Sequence, residues 1–495
     1  MPRRRINRQS VFLFLAVWLS SGWFHQSRDW NSASRLMLVY ALGDRASISI
    51  DGLQRQTGDL AFKDGHYFCD KAPGYSFLAV PAYVSGKSLF GWPDHPLNQD
   101  GFAYWTADFW VTWLTSGLAT GIIAVILFQI LTSLNITTRW ASVSSLMCCF
   151  ASPMMVYASL AYGHQVASAL FLGSAWIALA KEKWIRSPKR LVLIGICCGF
   201  GVLTELAQAP LAILIGLVVL CSDRNPQKIL NHAGYLIIGA VPSALILFAY
   251  NFIAFGSPLD MGYFHHATQQ FAKVHSADNP LGLTAPDFSH LMPLIWGEYR
   301  GLLFYAPWAI LAPVGWLKMV LGRNYGVLSL SLGGFLIPLW VNLSYPEWTG
   351  GWSTGPRLLV PALPWLALAS GYSMSQKFCR FISVPLFLWG WVITILFVSV
   401  GGRISQDIQR PLRDAVLPLW SGGRMPPFWP GERFARQTLT EFFGLSLGSP
   451  QAMAALLSII QAIFVVGCYS LRPPSSDQNQ IKSNESDSTS TTETD

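Results

Sequence analysis

Long apolar stretches recur along almost the whole chain: Val11 to Phe24, Gly117 to Leu134, Leu191 to Leu203, Ala233 to Phe255, Val327 to Leu343, Ile382 to Val400 and Ala452 to Cys468. Each approaches or reaches the roughly 20 residues that cross a bilayer as helix. Lipid offers the backbone no hydrogen-bond partner, so segments of this kind must close their bonds internally as helices. Of 495 residues, 52% are hydrophobic and only 12% charged, and the mean hydropathy is +0.37. That is more apolar material than a soluble domain of this length can bury, and an all-α polytopic membrane protein is expected.

The net charge of +8 does not point to nucleic acid, because the basic residues form short clusters at helix ends, where they anchor and orient a membrane protein. Those clusters are Arg3 to Arg8, Arg139, Lys181 to Arg190, Arg224 to Lys228, Lys318 to Arg323 and Lys377 to Arg380. Placing all of them in the cytoplasm makes every second connection cytoplasmic and puts both termini inside. The spans then run over 10–27, 105–133, 139–157, 160–180, 190–206, 208–222, 233–255, 301–321, 325–344, 357–374, 382–401 and 451–470. The expected organisation is a basic N-terminus (1–9), a transmembrane domain (10–401), an external loop (402–450), a last span (451–470) and a disordered cytoplasmic tail (471–495). The N-terminal Arg3-Arg4-Arg5 followed by Val11 to Ser20 reads as an uncleaved first span.

The loops 28–104, 256–300 and 402–450 all fall outside on this map, and long loops in a compact bundle tend to be functional. Within the first, Ser34 to Leu42 suits an amphipathic helix on the membrane surface. Ala72 to Phe90, broken by Pro73, Gly74, Pro81 and Gly86, suits an interfacial or re-entrant one. The cysteines have neither a disulfide framework nor zinc spacing: Cys69 alone lies in a long polar loop.

Polar residues gather in those outer segments. Thr57-Gly58-Asp59 and Lys63-Asp64-Gly65-His66-Tyr67-Phe68-Cys69-Asp70-Lys71-Ala72-Pro73-Gly74 bring carboxylates, a histidine and lysines just ahead of a Pro-Gly turn and an apolar helix. Such a set places an acid/base group and a cation at the membrane surface, although a solvated hairpin with ordinary turn residues has the same composition. Tyr345 to Arg357 contains Glu347, Trp348, Trp352 and, at the head of an apolar helix, Arg357, which is suited to grip a phosphate bidentately. The two tryptophans offer flat faces for a sugar or an isoprenoid. In Trp296 to Pro307, Glu298 and Arg300 either pair with each other or serve a ligand. His164 and Glu205 sit at the outer ends of their spans, where a charge still calls for a partner. No P-loop, dinucleotide motif, Ser/His/Asp spacing or Cys/His metal motif occurs.

The order of these strings resembles the GT-C glycosyltransferases. It is similar to the branch that holds protein O-mannosyltransferases, the aminoarabinose transferase of lipid A and rhizobial galacturonosyltransferase-like proteins. The matching strings are Thr57-Gly58-Asp59, Asp64-Gly65-His66-Tyr67, Asp70-Lys71-Ala72-Pro73-Gly74, Gly163-His164, Tyr299-Arg300-Gly301-Leu302 and Trp348 to Arg357. The similarity runs from about residue 10 to 400. It implies a bundle of about twelve helices with juxtamembrane helices in the first external loop, in a bacterial inner membrane with the site facing the periplasm.

The resemblance also implies inverting transfer of a sugar from a polyprenyl-phosphate donor to a lipid, glycan or protein acceptor. Lys71, Arg357 and Arg300 would bind the lipid phosphate, Asp59 would be the leading base, and Asp70, His66, His164, Glu205, Glu347, Trp348 and Trp352 would line the substrate pocket. One departure stands out: many members carry an acidic pair just beyond the first span, before an Arg, where this chain has Asn31-Ser32 ahead of Arg35 and the single Asp29. The base is then Asp59 or Asp44, or activity is lost. Some enzymes of this fold use a divalent metal and others do not, and no ligand cluster in the sequence decides it. The rival readings are a transporter or flippase of lipid-linked sugars and an inactive polyprenyl-phosphate-binding relative. Spans free of charge in their middles, with no half-repeat, speak against transport.

Overall fold

The computed structural model describes residues 8–26, 28–98, 102–179, 187–275, 279, 282–422, 439–443 and 449–470. The basic residues Arg3 to Arg5 and Lys181 to Arg186, the arginines Arg424, Arg433 and Arg436, and the tail after 470 lie outside that set. Helix dominates what is described. Among the described residues five helices are long and apolar enough to cross a membrane: Ala103–Ser133, Pro226–Phe255, Tyr325–Leu343, Lys377–Val400 and Gln451–Cys468. The other expected spans also fall on helix, but on shorter or broken pieces.

The first half runs α1 (Arg8–Ser21), α2 (Trp30–Arg45), β1 (Leu60–Lys63), β2 (His66–Cys69), α3 (Gly74–Phe90) and α4 (Phe102–Thr112). It continues through α5 (Leu118–Ser133), α6 (Thr138–Phe150), α7 (Met154–Ala158), α8 (His164–Leu179), α9 (Pro188–Thr204), α10 (Ala209–Leu220) and α11 (Pro226–Phe255). A turn of π-helix, Trp113–Gly117, joins α4 to α5 without breaking the span. Small residues let α9 and α11 touch backbone to backbone: a Cβ on Gly195 would lie 2.1 Å from the Leu236 carbonyl, and one on Gly239 2.1 Å from that of Val192. The outer face of α11 leaves Leu230, Ile237, Leu245, Phe252 and Ile253 exposed, as a lipid-facing surface requires.

The first loop is built differently from its expectation at one point. Rather than lying on a membrane surface, α2 buries every residue from Ser32 to Ala41, because it packs between α3 and the β-hairpin. Its N-terminus is capped by Asp29, whose carboxylate accepts from the Ser32 N–H at 2.6 Å. The segment expected as a broken apolar helix forms one helix, α3, with Pro81 inside it.

The hairpin is the local device that matters most. Asp64 and Gly65 both take positive φ, 50° and 86°, the two-residue turn that matches the strand twist and that an Asp-Gly pair favours. It fixes the antiparallel register Leu60↔Cys69, Ala61↔Phe68, Phe62↔Tyr67 and Lys63↔His66. That register sets the residue before β1, Asp59, beside those after β2, Asp70 and Lys71. On its open edge β1 receives the chain around His266: Ala61 bridges to His266, and the Ala267 N–H donates to the Leu60 carbonyl at 3.0 Å.

Candidate functional site

A cavity of ≈ 440 Å³ opens among the hairpin, the start of α2, the α8 and α9 ends, and the turn before Arg357. Lys71 is its centre of charge. The Lys71 ammonium lies 2.9 Å from an Asp59 oxygen and 2.6 Å from one of Asp70. Burial would strip the lysine of its proton, but the two carboxylates hold its affinity above the ordinary value. They part company with each other. Burial, the strongest influence on Asp59, lifts its proton affinity despite Lys71. Burial acts on Asp70 in the same direction, but there the Lys71 ammonium, by charge and by hydrogen bond, and a hydrogen bond from Ser34 prevail and keep it ionised.

Two glycines explain how the α8 and α9 ends reach this centre. A Cβ on Gly74 would sit 2.7 Å from the backbone of Leu203, so the Asp-Lys-Ala-Pro-Gly string can only close on α9 with glycine there. A Cβ on Gly163 would collide with the Glu205 carboxylate at 2.4 Å. Glu205 thus comes within 3.3 Å of His164 and 3.6 Å of Arg35, and all three line the cavity.

Arg357, from the turn after Trp352, also lines the cavity. Its guanidinium lies 5.4 Å from the centre of the Tyr162 ring, and among the described residues its buried Nε donates to nothing. A buried, unsatisfied donor of a cation costs free energy unless an acceptor arrives. Glu347 and Trp352 line the same cavity.

Several expected site residues lie elsewhere. Asp44 is a buried structural carboxylate away from the cavity, bound by Lys87 at 2.6 Å, the His95 ring at 2.7 Å and the Tyr83 hydroxyl at 2.8 Å. Arg300 is not among the residues that line the cavity: its guanidinium donates to the carbonyls of Thr349 (2.8 Å), Gly351 (2.9 Å) and Ser353 (3.2 Å), which shapes the turn that carries Arg357. It does not pair with Glu298, which takes Arg413 instead. His66 is exposed on the hairpin and pairs with Asp51 at 2.6 Å. Trp348 stacks on His290 with centroids 4.6 Å apart and faces a neighbouring groove. Asp70 backs Lys71 from behind the cavity wall.

Other residues of the site were not singled out from the sequence. Asp29 lines the cavity, accepts a hydrogen bond from the Tyr162 hydroxyl, and is held below the usual carboxylate range by Arg403, Ser32 and Tyr162 against the opposing effect of burial. The signal for it was its place just past the first span and ahead of an arginine. Arg403 donates to the Arg28 carbonyl at 2.6 Å and borders the cavity. Tyr263, His266 and His275 come from the loop after α11, and no periodic pattern in that loop marks them. Burial pushes His266 down to about 4, so it is neutral at physiological pH. Among the described residues no group of three His, Cys, Asp or Glu side chains is placed to hold a metal ion.

No protein-family model matches the sequence, and no curated protein matches it. Solved structures do match. ArnT from Cupriavidus metallidurans bound to undecaprenyl phosphate is similar over 93% of this chain and 76% of that one, at 16% identity and a TM-score of 0.50. The archaeal oligosaccharyltransferase AglB from Archaeoglobus fulgidus, in complex with an inhibitory peptide and a dolichol-phosphate, is similar over 86% of this chain at 10% identity and a TM-score of 0.51. This chain spans 61% of that longer protein. The likeness is one of architecture: the chain is an integral membrane protein with the GT-C fold.

Proposed function

We propose that this protein transfers a sugar from a polyprenyl-phosphate carrier to an acceptor hydroxyl, at a cavity facing the outer side of a bacterial inner membrane. The observation that carries the reading is the meeting of Asp59, Lys71 and Arg357 in one cavity. A base with lifted proton affinity stands beside an ammonium suited to phosphate, and the same cavity is lined by Arg357, whose buried Nε has no hydrogen-bond partner among the described residues. The fold shared with structures that hold undecaprenyl phosphate and dolichol-phosphate supports the choice of donor. Fold alone does not fix chemistry, so the side chains must bear the argument.

In the step proposed, the acceptor oxygen attacks the anomeric carbon from the face opposite the phosphate, inverting it. The bond from that carbon to the phosphate oxygen breaks, and its electron pair leaves with the polyprenyl phosphate. The acceptor proton passes to the Asp59 carboxylate. Lys71 and Arg357 stabilise the charge that gathers on the departing phosphate, in a buried site where such contacts are stronger than in water. As Lys71 turns toward the phosphate it gives less to Asp59, whose proton affinity rises further when a base is needed. Asp29, held ionised by its three partners, orients the acceptor or the sugar. The topology supporting an outward site is the distribution of Lys and Arg, with twelve spans, an external loop over 402–450 and both termini cytoplasmic.

Two measurements test the reading. Native mass spectrometry of the purified chain should show undecaprenyl phosphate bound to the wild type and lost from Lys71→Ala and Arg357→Ala. Mass analysis of envelope glycans from cells with and without the gene should show one sugar missing when the gene is absent. Unchanged glycans together with Lys71-independent lipid binding would refute the assignment.

A further inference from the structure

A second concavity, ≈ 680 Å³, lies next to the cavity and is lined by Trp296, Trp348, Glu298, Gln409, Arg410 and Arg413 among others. Two segments form a wall common to both. The turn before Arg357 presents Glu347, Gly350 and Trp352 to the cavity but Trp348 and Thr349 to the groove. The chain after Arg403 presents Arg403 and Gln406 to the cavity, then Gln409, Arg410 and Arg413 to the groove. The Tyr299 hydroxyl, in the groove wall, clamps the second segment through the Gln406 carbonyl at 2.5 Å. Arg300 clamps the first through its three carbonyls.

We infer that this groove is an acceptor subsite for an acidic saccharide, which it holds so that the next sugar reaches the cavity. The inference rests on the glycosyl-transfer reading of the cavity. Its chemistry is that of a carbohydrate platform. Trp296 is 55% exposed and presents an aromatic face to the C–H side of a pyranose ring, while one face of Trp348 is already covered by His290. Glu298, Gln409 and Thr349 supply acceptors and donors for ring hydroxyls. The charge decides for an acid. Arg413 is neutralised by Glu298 at 3.8 Å, whereas Arg410 has no carboxylate within bridging distance among the described residues, so the groove keeps one uncommitted cation.

The test uses the full chain in phosphatidylcholine nanodiscs and saturation-transfer NMR with hyaluronan tetrasaccharide and its neutral counterpart chitotetraose. The acidic sugar should bind about tenfold more tightly, the worth of one charge-assisted hydrogen bond. Arg410→Ala should erase that preference, Arg410→Lys should keep part of it, and Trp296→Ala should weaken both sugars alike. Equal binding of the two, a preference that survives Arg410→Ala, or displacement of the acidic sugar by phosphatidylglycerol would overturn the inference. Lys71-dependent binding of undecaprenyl phosphate, measured in the same samples, separates the two claims. Its loss strikes the cavity reading, while its presence without saccharide binding strikes only the groove.

Discussion

Asp59 and Lys71 flank one hairpin, and the pairing Leu60↔Cys69 brings them to 2.9 Å. Their roles are separable by experiment. Asp59→Asn keeps the shape and removes the base, so the transfer rate should fall by about 10²- to 10⁴-fold, while undecaprenyl phosphate still binds. Asp29→Asn should cost less, since that carboxylate is held below 3.8 by its neighbours and is a poor proton acceptor. A collapse in Asp29→Asn with a near-normal Asp59→Asn would exchange the two roles. The pH profile gives a second reading. Only ionised Asp59 can take the proton, and its affinity is raised above the ordinary 3.8. The rate should therefore fall with acidification at a higher pH than for a solvent-exposed aspartate, and Asp59→Asn should flatten that limb.

Much of this residue-scale picture was legible in local strings, because the hairpin and its two flanks are contiguous in sequence. Asp44 misled for a simple reason: the sequence does not show that Lys87 and His95, each far along the chain, return to bind it. Arg300 misled because the carbonyls it serves carry no sequence signal at all.

Among the elements, apolar length revealed nearly every helix but not where helices break. The segment expected as one span over 301–321 divides into Leu302–Tyr305, a 3₁₀ stretch Pro307–Leu311 and Ala312–Leu321. Pro307 lacks the N–H a continuous helix would use, and the Trp308 indole fixes the break by donating to the Ala151 carbonyl at 2.7 Å. The segment over 357–374 likewise opens as 3₁₀, Arg357–Ala362, which aims Arg357 at the cavity. The α9–α11 contact is the element on which the Glu205 wall depends. Gly195→Val should force the helices apart and destabilise the protein by about 1–3 kcal/mol or more, seen as a lower Tm in detergent. The same variant should bind undecaprenyl phosphate less well, because α9 carries Glu205 at its end; an unchanged Tm would show that the helices can yield. Arg300→Lys should lower Tm and cut transfer about tenfold, since an ammonium cannot span three carbonyls as the planar fork does and buried acceptors lose their partner.

For the molecule as a whole, sidedness is the property to measure. Arg55 is exposed near the hairpin, and Cys221 is exposed at the C-terminal end of α10. In intact cells a membrane-impermeant maleimide should label Arg55→Cys and spare Cys221 until the membrane is opened; the reverse pattern would turn the site toward the cytoplasm. The sequence disclosed the polytopic plan through its apolar repeats. It disclosed less of the site's outer wall, because the segments around His266 and Arg403 join it across long separations.

The Asp59–Lys71 pairing has an electrical consequence. In the proposed step one negative charge disappears from Asp59 as a proton arrives, and one appears on the phosphate across Lys71, so the cavity begins and ends the transfer step with the same total, and Asp59 resets by releasing its proton to solvent as the phosphate departs. Almost no charge then travels along the bilayer normal. Turnover should accordingly run at the same speed in energised and depolarised vesicles, driven by cleavage of the bond between sugar and phosphate.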